Sequence, residues 1–140
     1  MATWTVITIT GTSPDHIGAV AGRHTAYGHN VHTAYVTART ADEAIEWTRD
    51  AFRTIGPHLI TADTSTPPHA DRWTVVGLAS NGPCATHTVD AVLPGEHEVQ
   101  GRRESMLSHR WTRVVDAATA DDAEKAGYRN AADDYNATWD

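Results

Sequence analysis

An α+β fold of two related β-rich halves, each ending in a helix packed on an antiparallel sheet, is predicted by three observations. The first is an internal repeat: Val36-Thr-Ala-Arg-Thr-Ala-Asp-Glu-Ala44 returns as Val115-Asp-Ala-Ala-Thr-Ala-Asp-Asp-Ala123. The second is a pair of runs that open alike, Trp4-Thr-Val-Ile-Thr-Ile-Thr10 and Trp73-Thr-Val-Val-Gly-Leu-Ala79. Thr, Val and Ile suit a pleated, half-buried surface, so both read as strands. The third is the small, polar and Pro67-Pro68-containing stretch between them, which reads as a linker. The expected boundaries are 1–60 for the first half, 61–71 for the linker and 72–140 for the second half, joined in one compact domain. The Trp4-to-Thr40 spacing is 36 residues and the Trp73-to-Thr119 spacing 46, as duplication with a ten-residue insertion would give.

The elements follow in order. After the first strand, Ser13 as N-cap, Pro14 at the first helical position and Gly28 as a stop frame a helix over 13–28. Ile17, Val20, Ala21 and His24 would form its inner face, although Gly18 and Gly22 each cost about 1 kcal/mol against alanine in a helix. A strand then runs up to Thr40. Thr40 and Thr119 are expected N-caps, with Asp42/Glu43 and Asp121/Asp122 on the positive end of each helix dipole. Glu43 stands at capping-box spacing from Thr40, and the shorter Asp122 at the same spacing from Thr119. In the first of these helices Ala44, Ile45, Thr48, Phe52 and Ile55 form a buried stripe. Ala85 to Leu93 alternates as a further strand, ended by Pro94-Gly95. The last helix, about 120–133, has Ala123, Ala126, Ala131 and little else to bury, which makes it the least stable element.

Composition bounds the rest. Of 140 residues 22 are alanine, and Leu, Ile, Val and Phe together also supply only 22. The core is therefore thin, and a thin core with edge strands favours a homodimer or another protein partner. No run of 18 apolar residues exists, so no membrane span is expected. Met1-Ala2-Thr3-Trp4 does not open a signal peptide, and a cytoplasmic location is expected. The single cysteine, Cys84, allows no internal disulfide or cysteine-based zinc site. The net charge of −7 argues against nucleic acid.

Motifs for chemistry are sparse. His29 and His32 are the candidates for a metal, but on a strand their spacing sends them to opposite faces, so no metal and no cofactor is expected. No Gly-x-Ser-x-Gly, Walker or dinucleotide pattern occurs, and Asp121/Asp122 and Asp133/Asp134 read as helix-end and solvated charge. No catalytic residue is assigned, and an enzyme ranks last. Arg102, Arg103, Arg110, Trp111 and Arg113, with His109 among them, form the one basic concentration, a candidate partner or nucleic-acid surface. Interleaved Glu96, Glu98 and Glu104 cancel much of its field, and Trp111 is expected to pack against the sheet.

Two resemblances add to this reading. Thr8-Ile9-Thr10-Gly11, Asp15-His-Ile-Gly18-Ala-Val-Ala21 and Gly28-His-Asn30-Val31 resemble the opening of an ACT domain, the βαββαβ module that binds amino acids in metabolic regulators. That resemblance implies a ligand site at Asp15, Gly18 and Asn30. The second half, from Trp73-Thr-Val-Val-Gly through Gly95-Glu-His-Glu-Val-Gln-Gly101 to Trp111 and Ala120-Asp-Asp-Ala-Glu124, is similar to small strand-strand-helix proteins of actinobacteria and their phages and plasmids. It implies no activity, but a phage or plasmid accessory role. The expected function is thus a non-enzymatic protein-interaction module. The alternatives are an ACT-like ligand-binding regulatory domain and a nucleic-acid-binding protein using the Arg102–Arg113 region.

Overall fold

The computed structural model describes residues 1–9, 15–28, 30–55, 61–62, 67–80, 87–101 and 108–139. Its elements are β1 (Ala2–Ile9), β2 (Asp15–Ala21), β3 (Val31–Ala38), α1 (Ala41–Ile55), β4 (Thr61–Ala62), β5 (Arg72–Ser80), β6 (His87–Pro94), β7 (Ser108–Asp116) and α2 (Ala120–Trp139). The fold is α+β, with two similar halves in which a helix follows an antiparallel sheet and packs on it. Two compact units form, residues 1–65 with 97–103 and residues 66–96 with 104–140. No helix among the described residues is long and apolar enough to cross a membrane.

In the first unit the strand order is β2-β1-β3-β4. One face of β1 gives Trp4 and Val6 to a cluster with Ala19, Val36, Ala38 and the α1 residues Ala41, Ala44 and Ile45. Thr5 and Ile7, of the other parity, are also fully buried. Of the stripe expected for α1, Ala44, Ile45 and Thr48 are buried, while the side chains of Phe52 and Ile55 lie outside the described residues. Thr61 and Ala62, inside the stretch read as linker, pair with Thr33 and His32 of β3; two residues are too few to leave a strand pattern. Residues 97–103, from the second half of the sequence, join this unit, and Ala19 and Gln100 exchange backbone hydrogen bonds of 2.9 and 2.8 Å.

The second unit has the strand order β6-β5-β7, with α2 packed on all three strands. Its core includes Trp73, Val75, Val92, Trp111, Val115 and Ala123. Buried Gly127 lies where a Cβ would stand 2.5 Å from Val75 Cγ1, so the backbone of α2 approaches β5 closely. This explains how a helix poor in large apolar residues still packs; the helix runs to Trp139, beyond the expected end near 133.

The repeat extends to individual hydrogen bonds. Trp4 Nε1 donates to Ala38 O (3.2 Å), and Trp73 Nε1 donates to Ala117 O (3.0 Å). The fully buried Thr5 and Thr74 hydroxyls donate to Gly22 O (2.7 Å) and Gly95 O (2.8 Å). Those two glycines end β2 and β6 in turns at φ +87° and +89°, a conformation that favours glycine, and their amides return to Thr3 O and Arg72 O. The caps match as well: Thr40 Oγ1 accepts from the Glu43 amide (3.1 Å) and Thr119 Oγ1 from the Asp122 amide (3.2 Å). Register shifts fall at the same place, between Ile7 and Thr8 on β1 and between Val76 and Gly77 on β5. The insertion is divided, with four extra residues between Trp73 and Gly95 and six between Gly95 and Ala117.

One expectation is corrected. Of the helix expected over 13–28, the described residues 15–28 form none; Asp15–Ala21 is strand β2, paired antiparallel with β1. Ile17 is the extra residue of the bulge, since Ile7 pairs with Gly18 and Thr8 with His16. The five residues His16 to Val20 are all buried, so no polar alternation marks the strand. The 3–4 spacing of Ile17, Val20, Ala21 and His24 is fortuitous. Where the ACT resemblance implies a strand and helix, the chain forms a hairpin.

Candidate functional site

The outer side of α1 carries the most exposed tryptophan described. Ala44, Ile45 and Thr48 point inward, leaving Trp47 outside the stripe at 53% exposure. Around it the helix places Glu43 one turn before, Asp50 one turn after, and Glu46 beside it, all exposed. The result is a large amphipathic ring in an acidic surround. Among the described residues of this unit Tyr35 is also an exposed aromatic, with the Arg23 guanidinium 5.1 Å from its ring centre and its hydroxyl donating to His24 O (3.4 Å). The His24 ring lies 4.2 Å from that of His97, and each follows its turn glycine by two residues.

The second unit holds a cleft of about 600 Å³ between the start of β6 and the first turns of α2. His87, Thr88 and Val89 line one side; Asp121, Glu124, Lys125, Tyr128 and Arg129 line the other. These α2 positions recur at three- and four-residue steps and so share one face of the helix. Tyr128, 48% exposed, stacks on His87 with ring centres 4.4 Å apart and planes 24° from parallel. The Trp111 indole stands edge-on to His87, 6.4 Å away. His87 Nε2 and Trp111 Nε1 are buried without a hydrogen-bond partner among the described residues. A buried polar atom left unpaired costs about 1–3 kcal/mol. His87→Phe, which keeps a ring on Tyr128 and removes that nitrogen, is expected to stabilise the protein by about 1 kcal/mol. Chemical denaturation would check this, and a loss of stability would contradict it.

The residues singled out from the ACT resemblance all lie in the first unit. Asp15 and Asn30 lie toward the same end of the sheet, on the two strands or strand ends flanking Ile9. Gly18 is buried inside β2 opposite Ile7. Asn30 is exposed, with φ +62° in the turn before β3. The polar feature of this region is instead His16, 6% exposed and hydrogen-bonded through Nδ1 to Thr8 Oγ1 at 2.8 Å. Burial holds its pKa below the usual 6.5; the nearby Arg49 guanidinium adds to the effect, and the Asp15 carboxylate offsets part of it.

The sign of the pH dependence follows. Above pH 6.5 the imidazole is neutral folded and unfolded, and its contribution to stability is complete. As the pH falls below 6.5 the unfolded chain takes up the proton first, so stability declines through the lowered folded-state pKa. Urea unfolding between pH 8 and 5 is expected to show this decline in the native protein and a flatter profile in His16→Gln. Equal slopes would contradict it.

Part of the basic cluster lies among the described residues. Trp111 is 8% exposed and turned onto Gly77 of β5, so it presents no stacking platform. Arg113 donates to Asn130 Oδ1 (2.9 Å) and to Thr112 O (2.8 Å), and Arg110 is half-buried on β7. Arg102, Arg103 and His29 lie outside the described residues. His32 is on β3 opposite Thr8. Among the described residues no three His, Cys, Asp or Glu side chains come together as a metal site would require.

Comparison with known family models, curated proteins and solved structures gave no match to this chain. The features that distinguish the surface, Trp47 and the Tyr128–His87 stack, were not singled out by sequence reasoning. Trp47 carried a usable signal, a tryptophan off the apolar stripe and between acidic residues of a well-capped helix. The Tyr128–His87 stack carried none, because it depends on which strand α2 crosses.

Proposed function

We propose that this protein is a non-enzymatic protein-interaction module that binds its partner through the outer face of α1. The observation that carries this reading is Trp47, more than half exposed on an ordered helix of a protein otherwise short of large apolar residues. Tryptophan is among the residues that most often dominate the energy of protein interfaces, where it fills a pocket on the partner. Glu43, Glu46 and Asp50 fix the partner's chemistry: an apolar pocket rimmed by Lys or Arg. A second copy on this face would set acid against acid, so the partner is a different, basic-rimmed protein.

A photo-crosslinking amino acid at position 47, introduced in cells that naturally express the chain, tests the proposal. One protein is expected to be captured, and its complex with the native chain is then measured after purification. Trp47→Ala is expected to weaken that complex by more than about tenfold. Because the ring is exposed, the same change is expected to alter folding stability by less than about 0.5 kcal/mol. Unchanged affinity, or no adduct at position 47, would overturn the reading.

A further inference from the structure

We infer that the cleft between β6 and α2 binds a small dipolar ion carrying a flat ring, of the chemical class of a free aromatic amino acid. This goes beyond the interaction surface on α1 and does not depend on it. The volume of about 600 Å³ suits a ligand of that size. One wall is aromatic: half-exposed Tyr128, backed by the His87 ring, offers a face on which a second ring stacks.

The charges then select the ligand. Asp121 and Glu124 line the cleft together with Lys125 and Arg129, two of each sign. No ion pair or side-chain hydrogen bond joins any of the four to another described residue. A purely anionic ligand would face Asp121 and Glu124, and a purely cationic one Lys125 and Arg129. A molecule with an ammonium and a carboxylate engages both pairs, while its ring lies on Tyr128. The first half differs in sequence at the matching positions: Thr48 and Trp47 stand in α1 where Gly127 and Ala126 stand in α2, and the counterparts of His87 and Tyr128 are Pro14, outside the described residues, and Arg49.

The test uses the full chain and four probes followed by NMR: L-tryptophan, tryptamine, indole-3-acetate and glycine. L-tryptophan is expected to shift the Tyr128 and His87 ring resonances saturably. Tryptamine and indole-3-acetate, each lacking one charge, are expected to bind at least about tenfold more weakly, and glycine not measurably. Glu124→Gln should weaken L-tryptophan and tryptamine but spare indole-3-acetate; Arg129→Gln should do the reverse for the two analogues. Both residues are exposed, so resonances away from the cleft should remain as in the native chain and report an intact fold. Tyr128→Leu should abolish binding of all ring-bearing probes. The inference is overturned by any of three results: no saturable shift up to about 10 mM L-tryptophan, equal affinity for all three indoles, or shifts outside the cleft.

Discussion

Gly77→Ala is expected to destabilise the protein by about 3 kcal/mol or more, a large part of the roughly 5–15 kcal/mol that holds a small domain folded. Gly77 is on the central strand β5, beside the register shift, with Val89 opposite on one side and Trp111 on the other. A Cβ there would overlap the Thr88 carbonyl oxygen and the Trp111 indole. The carbonyl belongs to backbone and cannot swing aside, and the indole is buried. Relief therefore requires shifting β6 or expelling Trp111, which would also disturb the His87–Tyr128 stack. The matching position in the first unit holds Thr8, whose hydroxyl meets His16, so the repeat alone does not demand glycine. Urea unfolding followed by tryptophan fluorescence measures the change; a loss below about 1 kcal/mol would show that the indole can move freely.

The second large effect is expected at Trp73, which is completely buried. Trp73→Ala removes the largest fully buried side chain and takes the donor from Ala117 O, for a loss of about 3–5 kcal/mol. Trp73→Phe keeps most of the packing and loses the hydrogen bond, so about 1–2 kcal/mol is expected. Trp4, 8% exposed and bonded to Ala38 O, should show the same order between its two variants. A smaller loss for Ala than for Phe at either position would contradict the role given to the indole. Equilibrium unfolding of the four variants makes the comparison.

Much of this frame was legible in the residues. The Trp-Thr-Val openings, the two capping threonines and the unequal spacing between them led to two similar sheet-and-helix halves, because each feature is local. β2 was not legible. Its bulge at Ile17 and the burial of His16 to Val20 erase the polar alternation by which a strand is read, while Ser13-Pro14 and Gly28 imitate helix ends. The packing of Trp111 on the sheet is as expected from the sequence; the residue it meets is not legible there, because its contact with Gly77, 34 residues away, comes from the pairing of β5 with β7. Residues 97–103 illustrate the same limit, since pairing of Gln100 with Ala19 is set by the tertiary fold alone. Trp47 is legible as a tryptophan outside the apolar stripe of α1.

The most direct test of the interaction surface is native mass spectrometry of the chain purified from the cells that naturally express it, beside Trp47→Ala prepared in the same way. The account predicts a complex with a second, different protein for the native chain, and loss of that complex with unchanged folding for the variant. A native chain that carries no other protein, or a complex that survives Trp47→Ala, would contradict it.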